Sequence, residues 1–177
     1  MFNSSSDIGC DCIRHDIKLT ISPRLKRLSI HAFSTTQIQF DPVAKIELEE
    51  LLIHLATTDS NNMLLPSQSI RAQRATYELT GGRLDGSMTI LDKVVIRTDI
   101  SKVYAKLYVQ PLASHSNEPA ILETYGGDGP TEIFYERDTS SSYQRPIQSV
   151  HRSGNGDMRL NYKETWFFGK VTLSARL

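Results

Sequence analysis

The first residues whose types and spacing could support chemistry are Cys10, Cys12 and His15, close to the N-terminus. Two thiolates and an imidazole are ligands that zinc accepts, but a structural zinc site needs four. Two cysteines separated by one residue also close a strained, very small ring if they form a disulfide. We therefore interpret them as reduced thiols in a polar segment, and we expect no metal and no cofactor.

The motifs of known catalytic sites are not found in the sequence. It contains no Gly-x-Ser-x-Gly elbow, no His-Glu-x-x-His and no phosphate-binding glycine motif. The loop "YGGDGPTE" could cradle a phosphate through its backbone N–H groups. However, Asp128 and Glu132 would repel the phosphate and no lysine follows, so we interpret this loop as a turn. We expect a protein that is not an enzyme.

A cluster of cations follows the first strand-like segment and consists of Lys18, Arg24, Lys26 and Arg27. Such a cluster can attract anionic lipid headgroups or nucleic-acid phosphates, at about 1 kcal/mol per cation near a lipid surface. The alternative is a solvated strand edge, where lysine and arginine prevent edge-to-edge aggregation. We refer to these four residues as the basic cluster and assign it to contact with anionic lipid or with a nucleocapsid.

A second cationic patch combines Lys102 and Lys106 with Tyr104 and Tyr108, in the segment "SKVYAKLYVQP". Tyrosines beside cations suit stacking on nucleic-acid bases or insertion at a lipid interface. The alternative is an ordinary exposed sheet face. We add Lys102 and Lys106 to the residues assigned to anionic contact.

One segment, "FDPVAKIELEELLIHLATT", predicts a helix. Asp41 is a good N-cap, and Pro42 suits the first helical position. Apolar residues then recur at spacings of three and four, which is typical of one apolar helix face. These residues are Ala44, Leu48, Leu51, Leu52 and Leu55.

The rest of the chain predicts strands, from alternation of apolar and polar residues. The order "IQSVHR", "SGNGD", "MRLNY" predicts a hairpin, and in the closing strand Phe168, Val171 and Leu173 are predicted to face a core. No internal repeat is visible in the sequence. We predict an α+β fold in which a mostly antiparallel sheet packs against one main amphipathic helix. Residues 13–177 would form this single domain, and residues 1–12 a mobile arm.

Charge is balanced overall but unevenly distributed along the chain. The formal net charge is zero, which argues against a protein that coats nucleic acid in bulk. Residues 1–32 carry five Lys or Arg against three Asp or Glu, whereas residues 33–64 carry one against five. Acidic and basic faces favour contact between copies of the chain, although an ordinary mixed surface is the alternative. No apolar run predicts a membrane span or a secretory signal, so we expect a cytosolic protein.

The chain resembles the matrix proteins of rhabdoviruses, most of all those of plant cytorhabdoviruses. Two segments support the resemblance, a strand that leads into a proline-opened helix, "IQFDPVAKIELEELLIHL", and the closing strand "FFGKVTLSARL". The second is similar to a Gly-x-Ile-x-Leu strand near the end of the animal matrix domain. Pro-Pro-x-Tyr and Pro-Thr/Ser-Ala-Pro budding motifs do not occur in the sequence.

The resemblance implies a structural protein that self-associates, condenses the viral nucleocapsid and links it to the envelope and glycoprotein during budding. It implies peripheral contact with an anionic membrane and a location beneath the virion envelope, in the host cytoplasm and at endomembranes. The polar arm, with Phe2 and Ile8 as its apolar residues, would dock on a neighbouring copy. The alternative function is a nucleic-acid-binding accessory or movement protein of a plant virus that binds RNA.

Overall fold

Alternating apolar and polar residues extend along most of the chain, and in the computed structural model they form strands. The structure describes residues 15–19, 21–22, 24–40, 45–99, 103–112, 118–136, 145–162 and 169–175. These ranges contain thirteen β-strands and no helix, and all strand pairs are parallel. Among these residues there is consequently no helix of the length and hydrophobicity that a membrane crossing requires. The fold is a parallel β-solenoid with two sheets.

The chain passes alternately through the two sheets, so each coil of the solenoid contributes to both. Sheet 1 contains β1 (His15–Leu19), β3 (Thr36–Phe40), β5 (Met63–Leu65), the first part of β7 (Arg83–Thr98), β8 (Tyr104–Pro111), β10 (Thr131–Tyr135) and β12 (Met158–Tyr162). Sheet 2 contains β2 (Arg27–Ala32), β4 (Ile46–Leu55), β6 (Ile70–Leu79), the last part of β7, β9 (Ala120–Tyr125), β11 (Ile147–Ser153) and β13 (Gly169–Ala175). We call the β1–β2 end the head and the β12–β13 end the tail.

The long strand β7 belongs to both sheets. Its first residues pair with β5 and β8, and its last residues pair with β6 and β9. The register between β6 and β7 shifts between Ala72 and Arg74, where β7 passes from one sheet to the other. Hydrogen bonding is therefore continuous from one sheet to the other through this strand.

Corresponding residues of successive coils lie beside one another and form rows along the solenoid. One row that faces the interior runs through all seven coils of sheet 2: Ile30, Ile53, Tyr77, Ile96, Thr124, His151 and Leu173. Side chains of alternate residues point to opposite faces of a strand. The inward rows consequently fill the space between the sheets, and the outward rows form the two surfaces.

The predicted helix is wrong, and with it the α+β class. Its central part is strand β4, in which Ile46, Leu48, Leu51, Ile53 and Leu55 are buried. Burial here has a period of two, with one interruption where two glutamates follow each other. A leucine-rich segment of this kind satisfies both helical and strand spacing, so neighbouring strands decide between them. The predicted start of the helix, residues 41–44, lies outside the described residues.

The predicted antiparallel pairing is also wrong. Strands β11 and β12 occur where the hairpin was predicted, but β11 pairs with β9 and β13, whereas β12 pairs with β10. The turn between them, Gly154–Gly156, leads from sheet 2 to sheet 1 rather than back along a neighbour. Turn residues fix where a strand ends, and they do not fix which strand it pairs with.

The coils of the solenoid are not visible as a repeat in the sequence, because the number of residues per coil varies. Paired residues of neighbouring coils are separated by 18 residues between Ala72 and Ile90 and by 28 residues between Lys93 and Ile121. Connections between the sheets absorb these differences while the strands stay in register. A search for a fixed period fails under these conditions.

The closing strand is present as β13, but one expectation about its side chains is contradicted. Its backbone approaches β11 closely at Gly169, where a Cβ atom would overlap the carbonyl oxygen of Ile147. Leu173, predicted to face a core, is 63% exposed, because within the described part of the chain no further coil lies against it. Val171 is half-buried, and Phe168 lies outside the described residues.

One corner of the solenoid depends on Asn62 and Gly82. The buried Asn62 side chain accepts a hydrogen bond from the Thr36 N–H at 3.0 Å and donates one to the Thr57 carbonyl at 3.0 Å. Gly82 follows in the next coil with a φ of 99°, and a Cβ atom there would overlap the Asn62 carbonyl oxygen. Only glycine fits this position without displacing the corner.

We expect Gly82→Ala to lower the free energy of unfolding by about 2–4 kcal/mol, through left-handed strain and displacement of Asn62. Urea denaturation followed by circular dichroism measures this change. Gly126→Ala is the matched control, because the nearest atoms to its added Cβ are 3.6 Å away, which is ordinary contact. Equal destabilisation by both substitutions would contradict the described corner.

Candidate interaction surfaces

The basic cluster lies at the head, where acidic residues of the next coil accompany it. Lys26 donates a hydrogen bond to Glu49 at 2.9 Å, and Arg27 lies 3.6 Å from Glu50. Lys26 is the main reason that the pKa of Glu49 is lowered, first through its hydrogen bond and then through its charge. The cluster is thus partly neutralised on the folded surface.

The remaining members of the cluster differ in their surroundings. Arg24 is exposed in the turn before β2, and its backbone N–H lies 3.4 Å from the Ser22 hydroxyl. Lys18 belongs to β1 and is in register with Gln39 of β3. The predicted cluster therefore spans both sheets at the head of the solenoid, because β1 and β2 belong to opposite sheets.

The second cationic patch lies on the outer face of sheet 1. Lys106 projects beside the rings of Tyr108 and Phe134, with Nζ 5.8 Å and 5.6 Å from the ring centroids. Interaction with Tyr108, followed by Tyr104 and Glu132, raises the pKa of Lys106 above its ordinary value. The patch thus places two aromatic rings beside one ammonium group.

Phe134 was missed from the sequence because it lies 26 positions after Tyr108. In-register pairing of β8 with β10 places the two rings 5.0 Å apart and nearly parallel, at 19°. The next position of this row, on β12, is Asn161. Because Asn161 has no aromatic ring, the stack of rings ends at β12, where Glu132, Arg159 and Leu160 line a hollow.

Three predicted site residues lie where the structure describes nothing. Lys102, Phe2 and Ile8 fall outside the described residues, as do Cys10 and Cys12. The assignments of Lys102 to anionic contact and of the arm to self-association stay predictions. In the described ranges, no three His, Cys, Asp or Glu side chains are grouped so that they could hold a metal ion.

Two rows on the outer face of sheet 2 contain side chains of opposite charge that pair with each other. In the first row, Glu50 lies between Arg27 and Arg74 and pairs with both. In the second row, Glu78 pairs with Arg97 at 2.9 Å. The alternation is incomplete, because Lys93 follows Arg74 in register in the first row, and most residues of the row that lies between these two are uncharged.

Tyr125 continues the second of these rows toward the tail. It lies between two guanidinium groups, and Arg97 and Arg152 are each 5.5 Å from its ring centroid. This arrangement resembles the patch on sheet 1 in composition. Substitutions of Tyr125 can therefore serve as controls for substitutions in the sheet 1 patch.

The interior near the tail is polar, in contrast to the aliphatic interior of the earlier coils. His151 is 0% exposed, and its Nδ1 lies 2.7 Å from the Thr124 hydroxyl. Its Nε2 lies 3.5 Å from the hydroxyl of Tyr135, whose ring stacks on Tyr162 at 4.3 Å. Burial lowers the pKa of His151 to about 4. Because it is enclosed, His151 cannot meet a substrate in this structure.

The sequence contained a signal for this position. In "IQSVHR", alternation places Ile147, Ser149 and His151 on one face, and the apolar Ile147 marks that face as internal. The histidine was instead assigned no particular context. A histidine that shares the face of a buried isoleucine is itself a candidate for burial.

Arg145 is a buried charge that the sequence did not reveal. Its guanidinium donates to the carbonyl oxygens of Leu91 and Glu118, the latter at 2.7 Å. It also lies 3.4 Å from Asp92. Three successive corners of the solenoid are linked in this way, and each such hydrogen bond from a charged donor contributes about 1.5–3 kcal/mol. Because these partners are far from Arg145 in the sequence, no local sequence pattern predicts its burial.

Both ends of the solenoid present strand edges. At the head, β1 pairs only with β3 and β2 only with β4, and at the tail β12 pairs only with β10 and β13 only with β11, within the described ranges. An unpaired edge is a template for pairing with another chain. The two exposed large hydrophobic side chains of the described structure, Phe33 and Leu173, lie in the first and last coils.

Comparison of the chain with protein-family models, with curated proteins and with solved structures found no match.

We expect acid to destabilise the tail through His151. Its folded pKa of about 4 lies below the unfolded value of about 6.5, so the neutral form is favoured in the fold. Stability from this residue is complete above about pH 6.5 and is lost as the pH falls toward 4. At pH 5 the expected loss is about 2 kcal/mol.

Urea denaturation at pH 7.5 and at pH 5 measures this loss, with His151→Gln as the test. This substitution should reduce the pH dependence, because its side chain does not titrate. His31→Gln is the control, because it removes an exposed imidazole from the first coil. An unaltered pH dependence in His151→Gln would contradict the assignment.

Proposed function

We propose that this protein is a structural protein that self-associates through the ends of its solenoid. The observation that supports the proposal is the position of the exposed hydrophobic side chains. Phe33 is 77% exposed directly after β2, and Leu173 is 63% exposed within β13. Both therefore accompany unpaired strand edges.

Edge pairing and apolar burial favour the same contact. A second chain at either end would satisfy backbone N–H and C=O groups and would cover the inward rows of the terminal coil. Covering the exposed part of Leu173 alone is worth about 1 kcal/mol. Backbone pairing gives direction to this contact, and the apolar rows give it affinity.

The outer faces support the same conclusion by their charge. On sheet 2, Glu50 pairs with both Arg27 and Arg74. Lys93, the next member of that row, pairs with Glu123 of the following coil at 2.7 Å. Such pairs keep a surface hydrated and contribute little to association. The sides of the solenoid are thus less suited than its ends to contact between copies.

The narrower proposal is a viral matrix role, in which the assembled protein condenses a nucleocapsid and links it to the envelope and glycoprotein. It rests on the sequence resemblance alone. One of the two segments that support the resemblance was interpreted as a helix and is strand β4. The basic cluster is the proposed contact with anionic lipid or nucleocapsid, and three of its members, Arg24, Lys26 and Arg27, are exposed.

A second candidate function is binding of single-stranded nucleic acid by the outer face of sheet 1. The supporting observation is the group formed by Lys106, Tyr108 and Phe134, with Arg83 placed 5.2 Å from the ring centroid of Tyr104. Aromatic rings and cations on one face provide stacking and phosphate contact together. Asp85 and Glu132 reduce the positive charge of this face through ion pairs with Arg83 and Arg159.

We expect Leu173→Lys to weaken self-association at least about ten-fold, because a charge at the exposed inward row must be desolvated in the interface. Sedimentation velocity over a concentration series measures the change. Gln73→Lys is the matched control, because it adds the same charge at an exposed position of the central strand β6, away from both ends, and it should leave association unchanged. A wild-type chain that stays monomeric at all concentrations would overturn the proposal.

For the second candidate, we expect Tyr108→Ala to weaken binding of a single-stranded RNA about five-fold or more, through loss of a stacking partner. Fluorescence anisotropy with a labelled oligonucleotide at several salt concentrations measures this affinity. Tyr125→Ala removes a comparable tyrosine between two arginines on sheet 2 and serves as the control. Equal effects of the two substitutions, or no RNA binding at all, would reject this candidate.

A further inference from the structure

We infer that two copies associate tail to tail, through antiparallel pairing of their β13 strands centred on Thr172. The inference rests on the proposed self-association and specifies which end is used and in which register. The occupant of the β13 edge is thus a second copy of the same strand.

The β13 edge is suited to this contact by pairing and by exposure. All seven residues of β13 pair with β11 on one side, from Gly169 with Ile147 to Ala175 with Ser153. Its other side has no strand partner in the described part of the chain. The edge is therefore regular, and Leu173 offers apolar surface next to it.

Two criteria determine the antiparallel register: complete overlap of the two β13 strands, and avoidance of like charges opposite each other. Two copies of Gly169–Ala175 overlap completely only when Thr172 of one copy lies opposite Thr172 of the other. Val171 then lies opposite Leu173 of the second copy, so inward apolar residues meet inward apolar residues. Lys170 lies opposite Ser174 of the second copy, which avoids a like-charge pair.

Head-to-tail stacking is less favourable by the same criteria. If the rows of sheet 2 continued into a second copy, Leu173 would lie on Ile30, and Lys170 would lie on Arg27. Like charges directly opposite each other on paired strands are destabilising. Arg27 is already paired with Glu50, which reduces this repulsion without removing it.

At the tail the exposed apolar side chain lies within the edge strand itself, whereas at the head Phe33, which is 77% exposed, lies after the edge strand. Leu28 and Ile30, on the inward face of the head strand, are partly buried against the core, whereas Leu173 is 63% exposed. Pairing tail with tail covers two copies of Leu173 in one interface. Such an interface has two-fold symmetry and is closed, so it produces a dimer and leaves the heads free.

Disulfide trapping tests the register. In a Cys10→Ser, Cys12→Ser background, Thr172→Cys places two thiols directly opposite each other, with Cβ atoms about 4.5–5.5 Å apart. This approaches disulfide geometry. Under mild oxidation we expect most chains to become dimers on a non-reducing gel, with a doubled mass that returns to one chain after reduction.

Ser29→Cys in the same background is the matched control, because Ser29 is an exposed residue on the outer face of the head strand and should not cross-link. A mixture of Thr172→Cys and Ser29→Cys chains that cross-links only between the two variants would show head-to-tail stacking and overturn the inference. Self-association by sedimentation without cross-linking in either variant would also overturn it, while the proposed function would stand. A wild-type chain that stays monomeric would overturn both.

Discussion

Parallel, in-register stacking of one coil on the next is the interaction on which this protein depends. Neighbouring strands lie about 4.8 Å apart, so each side chain contacts the residue of the same row in the coil before it and in the coil after it. Identical charges would repel at that distance. Glu50 separates Arg27 from Arg74 in one row. Lys93, which is in register with Arg74, is compensated by Glu123 of the following coil. Inside, the same stacking demands side chains whose volumes fill the space between the two sheets.

Stacking also explains the polar groups enclosed near the tail. Thr124 and His151 occupy successive positions of one inward row, which places their side chains within hydrogen-bonding distance. Arg145 reaches carbonyl groups of two earlier corners in a similar manner. Residues far apart in sequence thus satisfy each other because the coils align them. Such groups can be buried without the cost of an unpaired polar atom.

The positions of many strands could be predicted from the sequence, whereas their arrangement could not. Alternation located β1, β8, β10 and β13, since one face of each strand is apolar. The class was missed because Leu48, Leu51 and Leu55 in β4 suit a helix equally well, and because coil lengths vary too much for a repeat to be visible. For the candidate surfaces, the sequence indicated Lys106 with its tyrosines. It could not indicate Phe134, which joins them only through pairing between coils.

Strand β7 has more strand partners than any other strand of the described structure. It pairs with four other strands, β5, β6, β8 and β9, whereas each other strand of the described structure pairs with at most two. In a stacked array each unit is held mainly by its neighbours. Fraying that starts at the head or the tail removes one coil at a time and leaves the remaining interfaces intact. A break in β7 would instead separate the three described coils on the head side from the three on the tail side. The coil that contains β7 is thus the last that unfolding from either end would reach.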